Sequence, residues 1–185
     1  LEIGPGSGNL TTFILKKKPK KVYTIEKDDE LVLSLQDKFT DEITIINDDV
    51  LKISEDKITS EKLTVFGNLP YNISTEILSK WITNLDKKIW FENLVLMFQK
   101  EVAERIIAKP NTSKYGRLSI LSNWKLNIKK IMDIKPQSFS PRPKIDSTLL
   151  LFTPKEKVFE LKDPKNLEII TRVFFSQRRK MLKKP

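Results

Sequence analysis

The stretch that decides the fold is Leu1-Glu2-Ile3-Gly4-Pro5-Gly6-Ser7-Gly8-Asn9-Leu10. Residues 1–3 read as the end of a strand and residues 9–17 as a helix, with three glycines packed into the turn between them. A strand that runs through a glycine loop into a helix opens a βαβ unit, and glycines there let the backbone pass close to a ligand. A dinucleotide fingerprint spaces its glycines G-x-G-x-x-G, which seats a pyrophosphate on the helix N-terminus. Here the third glycine, Gly8, comes one residue early, and an acid, Glu2, precedes the first. The spacing therefore argues against a nicotinamide dehydrogenase.

Outward from this loop, short Val/Ile/Leu/Phe runs alternate with amphipathic stretches, the pattern of a parallel sheet with crossover helices. Strands are expected over residues 22–26, 43–47, 63–67 and 94–98, and helices over residues 28–38, 74–84, 101–108 and 118–124. Residues 126–134 and 147–152 then read as two strands without a helix between them, which suggests an antiparallel pair at one sheet edge. The expected architecture is α/β: a mostly parallel seven-stranded sheet with one antiparallel edge strand. Residues 1–153 would form this catalytic domain. Residues 154–185, with a long helix expected over 164–182, would begin a basic helical C-terminal domain.

Composition narrows the chemistry. The chain has 185 residues, room for one α/β domain with a small appendage, and no run of roughly 18 apolar residues that would suggest a membrane span. There is no Cys and no His, so a zinc hydrolase or a Ser-His-Asp enzyme is hard to build and no metal site is expected. The lack of Cys makes a reducing compartment, the cytoplasm, the default. The formal net charge is +10, pointing to nucleic acid or an acidic membrane surface. From Lys155 onward ten Lys/Arg stand against four Asp/Glu, so more than half of the excess lies in this last segment. The run Lys16-Lys17-Lys18-Pro19-Lys20-Lys21 is read as a solvated helix end, where cations suit the dipole.

Three further elements sit at expected strand ends. Glu26 closes the second strand, where an acid accepts hydrogen bonds from ribose hydroxyls. Asp49 follows the third and can accept from an adenine amine. Asn68-Leu69-Pro70-Tyr71 follows the fourth. Its N-x-P-Y pattern has a direct chemical logic. An exocyclic amine conjugated with a purine ring is a poor nucleophile, because its lone pair is delocalised. The Asn68 side-chain oxygen and a backbone carbonyl at Leu69 or Pro70 can each accept one N–H, fixing the nitrogen in a more nucleophilic geometry. Pro70 stiffens the loop, and Tyr71 offers a face for a stacked base. No strong base is needed, since methyl transfer itself makes the nitrogen acidic.

The E-x-G-x-G-x-G loop is similar to that of Rossmann-like methyltransferases, which bind the cationic sulfonium of S-adenosylmethionine, and N-x-P-Y resembles their amino-methyltransferase motif. Longer stretches are more specific: Met97-Phe98-Gln99-Lys100-Glu101-Val102-Ala103-Glu104-Arg105-Ile106, Tyr115-Gly116-Arg117-Leu118-Ser119, Phe139-Ser140-Pro141-Arg142-Pro143-Lys144-Ile145-Asp146-Ser147 and Phe174-Phe175-Ser176-Gln177-Arg178-Arg179-Lys180. On these the chain resembles the ribosomal RNA small-subunit adenine N6,N6-dimethyltransferases, the KsgA/RsmA family. The resemblance implies two methyls on each of two adjacent adenines near the 3′ end of small-subunit rRNA, in a partly assembled subunit, by a monomeric cytoplasmic enzyme without metal.

It also implies a site. Glu2, Gly4, Gly6, Gly8, Glu26, Asp49 and Asn68 would bind S-adenosylmethionine. Asn68, Leu69, Pro70, Tyr71 and Phe139 would hold the target base, Phe139 either facing Tyr71 across it or plugging the sheet edge. Arg142, Lys144, Arg178, Arg179 and Lys180 are candidate RNA contacts, the last three alternatively solvating a helix face. Family members carry an N-terminal Phe-Leu segment and a complete helical C-terminal domain, so the chain is expected to be a fragment. Two alternatives differ in substrate or class: an Erm-type large-subunit adenine methyltransferase conferring antibiotic resistance, and a non-catalytic nucleic-acid-binding relative such as the mitochondrial transcription factors.

Overall fold

The computed structural model describes residues 1–85 and 89–176. Its strands are β1 (Glu2–Ile3), β2 (Tyr23–Glu26), β3 (Thr44–Asn47), β4 (Leu63–Gly67), β5 (Phe91–Gln99), β6 (Leu126–Ile134) and β7 (Ser147–Pro154). The helices are α1 (Asn9–Leu15), α2 (Asp29–Phe39), α3 (Ser74–Asn84), α4 (Lys100–Ile106), α5 (Arg117–Lys125) and α6 (Pro164–Ser176). They form one seven-stranded sheet in the order β3-β2-β1-β4-β5-β7-β6.

The first five strands run parallel to one another. β7 pairs antiparallel with both β5 and β6. The expected antiparallel pair is thus present at one edge, and the seven-stranded α/β sheet is as read from the sequence. The reversed strand, however, is second from the edge, and β6 forms the edge itself. Polarity explains this order: β6 exposes Lys129, Lys130, Ile131 and Met132, whereas β7 buries Ser147, Thr148, Leu150 and Phe152. A half-solvated strand suits an edge, and a strand buried on both faces needs two neighbours.

Local signals fix the helices that carry the site. Asp28 caps α2, its side chain accepting from the N–H groups of Glu30 and Leu31 at 3.0 and 3.1 Å. Such a cap contributes about 1 kcal/mol, and Asp29 and Glu30 in the first turn complement the helix dipole. α3 buries Ile77, Leu78, Trp81 and Ile82 in the main core, against Val65, Leu94 and Leu96 of the central strands. Each such fully buried side chain stabilises the fold by roughly 1.5–3 kcal/mol. α2 packs Leu35 and Phe39 into a second, smaller cluster with Val22 and Ile43. Helix α6 begins at Pro164 as expected, and the part of the expected helix beyond Ser176 lies outside the described residues.

Candidate functional site

The order β3-β2-β1-β4 places the chain's reversal of direction between β1 and β4. In an open parallel sheet, ligands bind at this switch point, outside the carboxyl ends of the strands. The glycine loop follows β1, the Asn68 loop follows β4, Glu26 ends β2 and Asp49 lies just past β3. All the sequence-derived elements therefore line the same end of adjacent strands.

The glycine loop is held from both sides. Gly4 N–H donates to the Ile25 carbonyl at 2.9 Å, and Gly6 N–H to the Glu26 carboxylate at 3.2 Å. Glu26 also accepts from the backbone N–H groups of Lys27 (2.8 Å) and Asp28 (3.1 Å), so one buried carboxylate ties the loop to the start of α2. Gly8 has φ +73°, and a Cβ there would lie 2.4 Å from Cε2 of Phe39. That glycine is required by packing. At Gly4 and Gly6, also at positive φ, a Cβ would meet nothing within 4 Å. Their open faces leave room for a ligand to approach the backbone, so the residues present fit a bound nucleoside.

Glu2 is buried, and its carboxylate accepts a 2.6 Å hydrogen bond from the Thr11 hydroxyl. Burial pushes this carboxyl above its ordinary range, the Thr11 bond acting the other way. Asp49 behaves oppositely: the Leu51 N–H first, and then the Lys27 ammonium at 3.0 Å, hold it below the usual carboxylate value. Lys27, unassigned from sequence, thus links Asp49 to the Glu26 corner.

Asn68, Leu69, Pro70, Tyr71 and Phe139 come together around one open cleft of about 270 Å³, with Pro141 and Pro143. Leu69 turns its side chain into the core and is 1% exposed, closely packed beside Gly67. Its contribution to the cleft is therefore backbone. The Pro70 carbonyl already accepts from the N–H groups of Ile73 and Ser74 at 3.1 and 3.0 Å. No described residue donates to the Leu69 carbonyl, so of the two candidate acceptors Leu69 is the one left available. The exposed Asn68 side chain likewise has no hydrogen-bond partner among the described residues.

Phe139 shares the cleft with Tyr71. Arg142 and Lys144 are exposed and alternate with the two cleft-lining prolines, a Pro-Arg-Pro-Lys pattern that was a usable signal for a cleft with a cationic border. Arg178, Arg179 and Lys180 lie outside the described residues. Sequence reasoning gave Ser147 no role, yet its hydroxyl meets that of Tyr71. Among the described residues there is no cluster of His, Cys, Asp or Glu that could hold a metal, and no helix long and apolar enough to cross a membrane.

Comparison with known proteins follows the same line. The chain is 76% identical over its whole length to the ribosomal RNA small subunit methyltransferase A of Pelagibacter ubique (strain HTCC1062), spanning 71% of that protein. The crystal structure of a dimethyladenosine transferase from Plasmodium falciparum superimposes with a TM-score of 0.81 at 32% identity, covering 98% of this chain and 64% of that one. The 23S rRNA methyltransferase ErmE shares the fold, with a TM-score of 0.70 at 24% identity over 95% of this chain and 69% of that chain. With the profile described as ribosomal RNA adenine dimethylase matching residues 1–185, the chain belongs to that family of methyltransferases.

Proposed function

We propose that the chain is the greater part of an enzyme that moves methyl groups from S-adenosylmethionine to N6 of two adjacent adenines near the 3′ end of small-subunit rRNA, in the cytoplasm and on a partly assembled subunit. One observation carries this reading: Asn68 and the available Leu69 carbonyl lie in one cleft with Tyr71 and Phe139, one strand away from the open faces of Gly4 and Gly6. When bound, S-adenosylmethionine supplies an electrophilic methyl on its sulfonium.

The chain's own residues do the rest. Glu26 accepts from ribose hydroxyls and Asp49 from the cofactor's adenine amine, while Gly4, Gly6 and Gly8 shape the loop beneath. The Asn68 amide oxygen and the Leu69 carbonyl each accept one N–H of the target amine, which holds its lone pair towards the methyl. Tyr71 and Phe139 sandwich the base. Catalysis then comes from positioning and fixed acceptors. Arg142 and Lys144 contact RNA phosphates, as do Arg178, Arg179 and Lys180 in the basic segment that begins a second, helical domain.

The small subunit is favoured over the large because the 76% identical relative bears the small-subunit name, while the 24% likeness to ErmE speaks for the fold alone. The test incubates the full-length protein with labelled S-adenosylmethionine and either undermethylated small subunits or protein-free large-subunit RNA, with Asn68→Ala as control. Dimethyladenosine in the small subunit, lost in the variant, is expected. Label in the large-subunit RNA would move the activity to the resistance class. No label in either, with cofactor bound, would leave a binding protein.

A further inference from the structure

Most crossovers in this sheet are made by helices, but the connection from β3 to β4 contains only a 3₁₀ turn, Glu55–Lys57. It must carry the chain past β2 and β1, and Asp49 is its second residue after β3 ends at Asn47. A connection this long without its own helix needs outside bonds to adopt one conformation. Those bonds converge on a single side chain of α3. The Lys80 ammonium donates to the Val50 carbonyl (2.6 Å), the Ile53 carbonyl (2.5 Å) and Oε1 of Glu55 (2.7 Å). An ammonium has three N–H donors, and all three are used within one six-residue stretch of the connection.

The cluster is removed from water. The Lys80 side chain is 17% exposed and that of Glu55 5%, and the neighbouring Trp81 indole N–H donates to the same Glu55 oxygen at 2.7 Å. Burying an ammonium is costly unless its partners stay in place. The loop therefore cannot drift without orphaning a buried charge. Its first anchored carbonyl belongs to the residue after Asp49, and the Leu51 N–H that orients the Asp49 carboxylate follows next. The same helix begins at Ser74, whose hydroxyl donates to the Tyr71 carbonyl at 3.1 Å. One helix thus fastens the loop of the proposed base site and the loop of the proposed adenine acceptor.

We propose that Lys80 is a positioning residue for the cofactor: by casting residues 50–55 around its ammonium it fixes where Asp49 presents its carboxylate. This rests on the function proposed above. The test uses the full-length protein and compares Lys80→Met, Lys80→Arg and the double variant Lys80→Met/Glu55→Gln, which leaves no orphan carboxylate. Lys80→Met and the double variant are expected to raise KM for S-adenosylmethionine and Kd for S-adenosylhomocysteine about tenfold, with kcat at saturating cofactor changed by less than about twofold. Lys80→Arg should recover most of the loss. On the wild type, S-adenosylhomocysteine should slow amide exchange across residues 49–55.

Folded variants with wild-type KM and Kd and only a lower melting temperature would reduce Lys80 to a structural role and overturn the proposal. So would unchanged exchange in residues 49–55 on ligand binding, which needs no variant to fold. A wild-type protein that neither binds S-adenosylhomocysteine nor methylates RNA would instead overturn the underlying functional reading.

Discussion

The hydroxyls of Tyr71 and Ser147 lie 2.7 Å apart, joining the loop after β4 to the first residue of β7 across the intervening β5. Ser147 is fully buried. Tyr71→Phe keeps the ring but leaves that hydroxyl without its partner, so a loss of about 1–3 kcal/mol in urea unfolding is expected, with a smaller effect on methylation. Tyr71→Ala also removes the stacking face and should weaken binding of the target by about 1–3 kcal/mol. Comparing unfolding midpoints with single-turnover rates for the two variants checks this. Equal activity in both would remove the stacking role from Tyr71.

Asn68 combines exposure with a side chain that no described residue bonds. Its removal should cost the fold little and the reaction much. Asn68→Ala is expected to melt within a degree or two of the wild type while kcat falls by about 10²–10³, as when one fixed acceptor or donor is deleted from a preorganised site. A wild-type rate in this variant would place the chemistry elsewhere.

The glycines separate packing from ligand approach. Gly8→Ala drives a Cβ to 2.4 Å from the Phe39 ring at a backbone φ of +73°. The overpacking adds about 1–3 kcal/mol, which denaturant titration would read as lost stability. Gly6→Ala meets no protein atom within 4 Å. It should cost only the left-handed strain, about 1–2 kcal/mol, yet reduce cofactor affinity in calorimetry by a larger factor than its stability loss implies.

Glu2 and Asp49 make opposite contributions to the pH dependence of stability. The Glu2 carboxyl is raised from 4.5 by burial, so the folded state holds its proton more tightly than the unfolded chain. Its contribution is full below 4.5 and is lost as pH rises through the folded value. Asp49, depressed from 3.8, contributes above that value and loses it as pH falls. Glu2→Gln should therefore flatten the decline in melting temperature on the alkaline side of pH 4.5 and leave the more acidic limb intact. An unchanged profile would show that Glu2 ionises as freely in the fold as outside it.

Much of the candidate site was legible in residues 1–8 and 68–71, because glycine, proline and strand-end acids act locally and their meaning survives without tertiary context. Glu26 and Asp49 were singled out by their places after apolar runs. The order of β6 and β7 was less accessible: adjacency gives an antiparallel pair but not which member lies outside. The signal was there in Lys129 and Lys130, whose charges suit an edge. Lys80 and Ser147 were invisible for a different reason. Each acts on a segment distant in sequence, and nothing in the spacing of Ile77, Leu78, Trp81 and Ile82 marks the lysine among them as more than a helix residue. The choice between the Leu69 and Pro70 carbonyls likewise needed the start of α3, which consumes one of them.

The reversal of β7 has a bearing on how such a scaffold can diversify. Because Ser147 pairs with Gln99 at the carboxyl end of β5, and with Ile134 at the end of β6, the segment of residues 135–146 both departs from and returns to the rim that bears the Asn68 loop. A seventh strand running with the others would have sent that segment to the opposite end of the sheet. As built, Phe139 and the Pro-Arg-Pro-Lys run sit on an exchangeable cassette, bounded by two hydrogen-bonded strands. It can be lengthened, shortened or swapped without disturbing the strand order that carries the glycine loop and the Asn68 loop.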